Sequence, residues 1–410
     1  MKKEKTELNF NRIPDEEIHY YVNPDTGEED INIGIMYDYE MIFKLYKMLG
    51  CPEDVFDPTN TPLWLVKYVV DISSRSTGKT TNWLLIAMIM WQKYGTTPCY
   101  IRQTENMVAK SFLEKLFNVI LKFKYIEVIT QGEYDNIMYY ARTWYFVKYD
   151  ADGKVIAKSD PFMYCLDLEQ APVYKSTFNA PRGDLIIFDE FISERYTVNE
   201  FVTFQDLVKT IIRERFSPVV IMLANSTNIY NMYLQEMDIQ SEFARIDDGS
   251  HFIHATKKGT KIYGERVGVR SQRRAELNTN FFGFDNARLS AITGGDWVLG
   301  SFPHSDQDDE RQVIEKGIYI KYAGAILQIE LCGSAKLGLH CIVHKATRID
   351  EKAKIIYTID EITDIKEQYR FGADKLSKLI WRLYEENKFY YATNEVGNTL
   401  ENYIFGAKKI

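Results

Sequence analysis

The sequence predicts an α/β fold in which a parallel sheet flanked by helices is followed by a smaller, β-rich domain. Strand-like and helix-like patterns alternate between residues 63 and 230, and strands joined by helices form parallel sheets. A small-residue loop joins one of these strands to a helix, as in phosphate-binding folds. Beyond residue 280, short strands such as GIYIKYAG, AILQIEL and LHCIVHK dominate, which indicates the second domain.

Length and composition limit the class of protein. A chain of 410 residues is long enough for two or three domains, and 45% hydrophobic with 26% charged residues is typical of a globular protein. No apolar run approaches the about 20 residues that cross a bilayer, and the N-terminus lacks the apolar stretch of a signal peptide. The net charge of −8 argues against general coating of nucleic acid but leaves room for a local basic track.

The five cysteines are scattered, odd in number and never spaced as CxxC. The sequence therefore indicates neither a disulfide framework nor a zinc site. A reducing cytoplasm fits this pattern.

The domain boundaries follow changes in composition. Residues 1–60 are rich in acidic residues, Tyr and Pro, with one helix-like stretch near Tyr37–Leu49, and we expect them to form an arm or lid. Residues 61–230 carry the α/β pattern, residues 231–280 are polar and predict a linker region, and residues 281–410 form the β-rich domain.

The clearest motif lies between the strand LWLVKYVVDIS and the helical NWLLIAMIMWQKY. It matches the P-loop pattern, with Ser73 in the position of the first Gly. Backbone N–H groups of such a loop point at phosphates, Lys79 neutralises their oxygens, and the Thr80 hydroxyl binds Mg²⁺. The predicted phosphate-binding residues are Ser73, Ser74, Arg75, Ser76, Thr77, Gly78, Lys79, Thr80 and Thr81.

Two adjacent carboxylates follow the apolar strand LIIF. Of Asp189 and Glu190, one is expected to enter the Mg²⁺ shell and the other to orient and deprotonate an attacking water. Neighbouring side chains of a strand point to opposite faces, so both serve one site only where the strand ends. Asn225, at the end of the next strand, is a candidate for contacting the γ-phosphate or the water; the alternative is a turn residue that caps the strand.

An arginine often completes a site of this kind from a neighbouring subunit. Arg213 and Arg215, in TIIRERF, are the candidates; the alternative is a solvated helix end or a salt bridge with Glu214. Arg75 is a second candidate that would act on the phosphates of its own subunit.

The order SRSTGKTT, CYIRQ, LIIFDEF and MLANS over residues 63–230 resembles the DNA-packaging ATPases of tailed bacteriophages, the large-terminase group, and especially the small φ29-like type. A fainter similarity covers Ala287–Trp297 and Gly300, and residues 1–60 have no counterpart. The resemblance implies an ASCE-class P-loop ATPase that uses ATP and Mg²⁺. It assigns Lys79 and Thr80 to phosphate and magnesium and makes Asp189 the Walker B acid.

The same resemblance implies Glu190 as the catalytic glutamate, Asn225 as the coupling residue, and Arg213 or Arg215 as the trans-acting arginine. It also implies a homopentameric ring that acts in the host cytoplasm, transiently on the portal vertex of a procapsid, and is absent from the mature virion. The ring would move double-stranded DNA inward, and a structural packaging RNA can lie between motor and portal. No membrane partner is implied.

The family's C-terminal domain is built like an RNase H nuclease that holds two metals with clustered Asp and Glu. Here the strands carry Glu330 but no Asp at a strand centre, while Asp350 and Asp360 flank a later strand. We therefore expect a vestigial nuclease domain, and we expect nuclease activity to be absent.

A basic stretch between residues 257 and 274 is the candidate DNA track, because contacts to phosphates carry no sequence information. The alternative is that these residues form the solvated surface of a linker. The residues are Lys257, Lys258, Lys261, Arg266, Arg270, Arg273 and Arg274.

Other functions are also compatible with the sequence. They are an active large terminase with nuclease activity, a P-loop helicase or another cytoplasmic ATPase, and a non-enzymatic scaffold with a structural nucleotide site. The intact set of Lys79, Thr80, Asp189 and Glu190 argues against the scaffold, and no further helicase motif is readable.

Overall fold

The structure is a computed structural model that describes residues 9–50, 56–73, 77–193, 199–225, 229, 231–268, 302–304, 311–322, 324–359, 362–368 and 374–407. The chain divides into two compact units. The first comprises Met1–Phe191, Thr203–Ser226 and Arg245–Asp296, and the second comprises Ile192–Val202, Thr227–Ala244 and Trp297–Ile410. No helix in the described ranges is long and apolar enough to cross a bilayer.

Strands and helices alternate through much of the chain. In chain order, the strands are β1 (Tyr20–Val22), β2 (Glu29–Ile35), β3 (Tyr68–Ser73), β4 (Cys99–Arg102), β5 (Asn136–Tyr140), β6 (Thr143–Tyr149), β7 (Val155–Asp167), β8 (Leu185–Asp189), β9 (Val219–Asn225), β10 (His251–Ala255), β11 (Lys261–Arg266), β12 (Gln312–Tyr322), β13 (Ala325–Ser334), β14 (Gly338–Ala346), β15 (Ile355–Thr358), β16 (Glu367–Gln368) and β17 (Phe389–Tyr391). The helices are α1 (Tyr39–Met48), α2 (Lys79–Tyr94), α3 (Lys110–Leu113), α4 (Asn118–Lys122), α5 (Tyr125–Ile129), α6 (Ala171–Thr177), α7 (Glu200–Ile212), α8 (Met232–Glu236), α9 (Gln240–Arg245), α10 (Lys375–Glu385) and α11 (Asn394–Ala407). Short 3₁₀ helices cover Asp15–Glu17, Pro58–Asn60, Glu105–Val108 and Glu114–Phe117.

The main sheet of the first unit has the predicted parallel centre. Among the described residues nine strands pair in the order β10-β11-β3-β9-β8-β4-β7-β6-β5. The pairs from β11 to β7 are parallel, whereas β10, β6 and β5 add antiparallel edges. One additional strand, β9, lies between β3, which leads into the phosphate loop, and β8, which carries the acids. This order confirms the predicted α/β fold of the ASCE type.

Helix α2 packs its apolar residues into the core of the first unit. Trp83, Leu84 and Met88 are fully buried. Gly78 precedes the helix with φ 82° and Gly95 follows it with φ 67°, so the chain adopts a left-handed conformation at each end. Glycine tolerates this conformation because it has no Cβ. The helix therefore begins at Lys79, within the phosphate-loop motif.

The described part of the expected arm or lid, residues 9–50 and 56–60, packs against the core of the first unit. Phe10 and Ile42 are fully buried in the core cluster of the first unit. Ile33, on β2, accepts a backbone hydrogen bond from Phe216 at 2.7 Å. The apolar face of α1 could be read from the sequence, but the surface that it covers could not, because that surface comes from distant residues.

The predicted linker region at 231–280 contains two strands of the main sheet. Strands β10 and β11 extend the main sheet, and β11 pairs in parallel with β3, with Ile262 opposite Tyr68. The two strands of this hairpin are only five and six residues long, so their pattern resembles a loop in sequence. Residues 269–280 lie outside the described ranges.

The sheet of the second unit agrees with the RNase H-like fold that was expected. Six strands of the described residues pair in the order β16-β15-β12-β13-β14-β17. Strands β12, β13 and β14 are antiparallel, and β15 is parallel to β12. Helices α10 and α11 contribute Ile380 and Leu400 to a core that contains Ile318 and Val343.

Candidate active site

A cavity of about 430 Å³ lies where the phosphate loop meets the ends of β8 and β9. It brings together the predicted residues from three separate segments of the chain. Its lining residues are Thr77, Gly78, Lys79, Thr80, Thr81, Asp189, Glu190, Ala224 and Asn225. The N-terminus of α2 opens onto this cavity, and helix N-termini favour anions because their first N–H groups are unpaired. Ser74, Arg75 and Ser76 lie outside the described residues.

Lys79 is held within the phosphate loop by hydroxyl groups. Its ammonium donates to the Ser73 hydroxyl and, at 3.4 Å, to Thr77 Oγ1. Burial lowers the pKa of Lys79 to about 8, although Asp189, Asp71 and Glu190 favour its charged form. Ser73, the departure from the P-loop pattern, therefore supplies a hydrogen bond that glycine could not.

The Asp189 carboxylate is the centre of a buried polar group. Its Oδ2 accepts hydrogen bonds from Thr80 Oγ1 at 3.1 Å and from the Tyr100 hydroxyl at 2.6 Å. Burial, reinforced by Asp189, raises the pKa of Tyr100 far above its ordinary value, so this phenol remains a donor. A hydroxyl and a carboxylate side by side are ligands that Mg²⁺ prefers, so Thr80 and Asp189 fit this ion.

Arg102 is a site residue that the sequence reasoning did not assign. It ends β4 with only 2% of its surface exposed, and its guanidinium contacts both acids. Nη1 lies 3.2 Å from Asp189 Oδ2, and Nη2 lies 2.8 Å from Glu190 Oε2. The signal was present in CYIRQ, where a charged residue ends a buried strand.

The backbone at Glu190 explains how two adjacent acids reach one cavity. Glu190 is the first residue after β8 and has φ 56°, a conformation that few residues other than glycine adopt. The change of direction turns its side chain toward Arg102, with 51% of that side chain exposed. Asn225 ends β9, and its Cα partner across the sheet is Ser73. It lines the cavity beside the phosphate loop.

The two candidate trans-acting arginines make different contacts in the structure. Both follow α7 and precede β9. They therefore lie at the end of the sheet where the parallel strands begin, and the cavity lies at the other end, where these strands finish. All five N–H donors of an arginine are fixed in a planar fork. Those of Arg215 are used within its own subunit, by the carbonyls of Ala180, Pro181, Ile211 and Ile212 and by the Asp184 carboxylate.

Arg215 therefore fixes the end of α7 to the segment 180–184, and its contact with a neighbour's phosphates stays a prediction. Arg213 is exposed, and its Nη2 donates to the Phe178 carbonyl at 3.1 Å. It remains a candidate. The role of an arginine that leaves its own subunit stays a prediction.

The basic stretch does not form one track in the part that the structure describes. Lys257 and Lys258 lie exposed in the turn between β10 and β11, and Lys261 begins β11. Arg266 ends β11, so it lies at the other end of this strand from the turn. It pairs with Asp248 at 2.8 Å and donates to the Ile246 carbonyl at 3.0 Å. The remaining candidates, Arg270, Arg273 and Arg274, lie outside the described residues.

The fold and the cavity define the class as an ASCE-type P-loop fold with an added RNase H-like unit. Two solved structures share this fold with the chain. One is the Phi-28 gp11 DNA packaging motor, with a TM-score of 0.53 and 16% identity over 87% of this chain and 99% of the other. The other is the bacteriophage Phi-29 viral genome packaging motor assembly, with a TM-score of 0.50 and 17% identity over 84% of this chain and 97% of the other. The resemblance to φ29-like packaging ATPases is thereby confirmed at the level of the fold.

No protein-family model matches the sequence, and no curated protein matches it.

Proposed function

We propose that this chain is an ATPase that drives double-stranded viral DNA into a procapsid. The observation that carries the proposal is the meeting of Lys79, Thr80, Asp189 and Glu190 at one cavity on an ASCE-type sheet. The chemistry of each side chain suits one requirement of phosphoryl transfer. The motor function is supported by the fold shared with the two packaging-motor structures.

The residues divide the work of hydrolysis. Lys79 and the first N–H groups of α2 bind the phosphates, and Thr80 with Asp189 would hold Mg²⁺. The ion, when bound, neutralises charge on the phosphate oxygens. Glu190 takes a proton from the attacking water, and Arg102 orients the Glu190 carboxylate. Asn225 contacts the γ-phosphate or the water and relays its state along β9.

The assembly proposed for the motor is a homo-oligomeric ring, a pentamer, in which Arg213 of one subunit completes the site of the next. Arg213 is exposed at the sheet edge opposite the cavity, so a head-to-tail arrangement suits it. The proposed partners are double-stranded DNA, the portal of the procapsid and a structural packaging RNA. The proposed location is the host cytoplasm, with transient binding to the portal vertex.

Phosphate-release measurements test the enzyme. Lys79→Ala should lose nucleotide binding, because it deletes the charge that faces the phosphates. Glu190→Gln should bind ATP normally and lose hydrolysis, because it deletes only the proton acceptor. Full turnover by Glu190→Gln would overturn the assignment, and an absence of hydrolysis in the wild type with purified procapsids and DNA would favour a scaffold. Strand separation without procapsids would favour a helicase.

We also propose that the second unit does not cut DNA. Glu367, an acid on β16, is paired with Lys321 of β12 at 2.6 Å and also accepts hydrogen bonds from Thr363 and Asp364. Asp350 is exposed and caps its own turn by accepting from the Lys352 N–H at 2.8 Å. Asp360 lies outside the described residues.

Incubation of linear duplex DNA with the protein and Mn²⁺ tests this second proposal. We expect the DNA to stay intact. Metal-dependent cutting that disappears in Asp350→Ala or Asp360→Ala would instead make the chain an active large terminase.

A further inference from the structure

The N-terminal segment, defined as residues 39–50 and 56–60, makes direct contacts with the phosphate loop and the first turn of α2. Tyr46, on α1, is buried with 3% of its surface exposed. Its hydroxyl donates to Asn82 Oδ1 at 2.8 Å and lies 3.3 Å from the Phe56 carbonyl oxygen. Asn82 is three residues beyond Lys79, and its backbone N–H closes the first helical hydrogen bond with the Gly78 carbonyl at 2.9 Å. Tyr46 therefore joins α1 to the turn that presents Lys79 and Thr80.

A second contact reaches the loop itself. The Phe56 backbone N–H donates to the Thr77 carbonyl at 2.8 Å. In a trans peptide the C=O and N–H groups point in opposite directions across one plane. A hydrogen bond that holds the Thr77 carbonyl toward Phe56 therefore holds the Gly78 N–H in the opposite direction. Both Thr77 and Gly78 line the cavity.

The same segment is fixed to the core on its other side. The Phe56 ring packs against Trp83 with centroids 6.4 Å apart. Trp83 Nε1 donates to Asp71 Oδ2, on β3, at 2.7 Å. The strand before the loop, the helix after it and the N-terminal segment are therefore joined in one buried network. Movement of any of the three is resisted by the other two.

We propose that the N-terminal segment is a brace that positions the phosphate loop for nucleotide binding, with Tyr46 as its principal positioning residue. The inference rests on the proposed nucleotide site. A loop held in its binding conformation loses less conformational entropy when phosphates bind, so the brace increases affinity without touching the nucleotide. The chemical step uses Glu190 and Asp189, which lie on a different segment of the cavity wall.

Tyr46→Phe tests the brace in the full-length protein, because it removes one hydroxyl and keeps the ring. We expect the KM for ATP and the Kd for a non-hydrolysable analogue to rise about threefold to tenfold, the range of one buried hydrogen bond. The kcat at saturating ATP should stay within about twofold of the wild type. An unchanged Kd would overturn the proposal.

Tyr139→Phe is the matched control. Tyr139 lies on β5, at the far edge of the main sheet, and its hydroxyl donates to the Val108 carbonyl at 2.8 Å. This variant loses a similar hydrogen bond away from the cavity, so we expect a similar thermal destabilisation with an unchanged KM. If both variants raise KM equally, Tyr46 has a general structural role and the brace is wrong.

A double-mutant cycle with Asn82→Ala separates the network from independent effects. We expect the KM of the double variant to be no more than about twofold above that of the worse single variant, because both changes remove the same link. Multiplicative effects would contradict the link. Lys79→Ala distinguishes the brace from the nucleotide site. If Lys79→Ala loses nucleotide binding while Tyr46→Phe binds normally, only the brace is wrong. If Lys79→Ala binds nucleotide normally, the proposed nucleotide site itself is wrong.

Discussion

Arg102 Nη2 lies 2.8 Å from Glu190 Oε2, and the same guanidinium contacts Asp189. The buried arginine therefore balances the charges of two adjacent acids and fixes the direction of the more exposed one. An acid that must accept a proton from water benefits from a fixed orientation. Charge balance and orientation can be tested separately, because Arg102→Lys retains the charge and loses the planar fork.

We predict that Arg102→Ala destabilises the protein by about 3–5 kcal/mol, the usual cost of removing one partner from a buried ion pair. The denaturant midpoint at an unchanged slope measures this loss. Lys175→Ala is the control, because Lys175 and Asp206 form a pair with side chains 54% and 45% exposed, which is worth about 1 kcal/mol or less. Equal losses in both variants would contradict the buried role of Arg102. Arg102→Lys should recover part of the stability but little of the hydrolysis.

The lowered pKa of Lys79, about 8, predicts an unusual pH dependence of nucleotide binding. Below this pH the proposed site offers a charged Lys79 to the phosphates, and above it the free site loses this cation. Bound phosphate favours the charged form and raises the pKa again. Affinity should therefore fall as the pH rises from about 8 to about 9.5, and binding should take up a proton. Calorimetry in buffers of different ionisation enthalpy measures this uptake.

Lys79→Arg is the control for this pH dependence, because a guanidinium keeps its charge throughout the range. It should bind less tightly but with little change over the same pH interval. A wild-type affinity that is flat over that interval would show that another group sets the binding charge.

We predict opposite outcomes for the two arginines that follow α7. Arg215→Ala should lower the denaturation midpoint strongly, because the buried Asp184 loses its cationic partner. Arg213→Ala should leave the midpoint nearly unchanged and reduce hydrolysis by the assembled ring. Mixing Arg213→Ala subunits with Glu190→Gln subunits should restore part of the hydrolysis, since some interfaces then contain both wild-type groups. No recovery at any ratio would place Arg213 outside the neighbour's site.

The hairpin turn supplies a test of DNA contact. Replacing both Lys257 and Lys258 with Ala should weaken DNA-stimulated hydrolysis at low salt and reduce the slope of log K against log salt by about two units. Basal hydrolysis should be unchanged, because the turn lies at the sheet edge opposite the cavity. Arg266→Ala should instead reduce stability through loss of its pair with Asp248. An unchanged salt slope would remove the turn from the DNA surface.

A triple charge reversal of Arg270, Arg273 and Arg274 tests the remainder of the stretch in the same assay.

Lys79, Thr80, Asp189 and Glu190 could be chosen as candidates from the sequence because their signals are local, and the structure brings them to one cavity. Lys79 and Thr80 follow a run of small residues between an apolar strand and a helix, and Asp189 with Glu190 comes at the end of a buried strand. The α/β class followed from the same alternation of patterns. For Ser73, the sequence indicated only a departure from the motif, since its hydrogen bond to Lys79 depends on how the loop closes.

The tertiary structure alone decided which distant segments meet. The pairing of β11 with β3 joined a presumed linker to the main sheet, and the burial of α1 joined a presumed arm to the core. Arg102 became a partner of Glu190 because β4 pairs with β8, and Arg215 became an anchor because the segment 180–184 lies beside it. Each of these contacts joins residues far apart in the chain, and neither residue carries a local pattern that identifies its partner. The physical reason is that pairing and burial are properties of two surfaces together, whereas the sequence displays each surface separately.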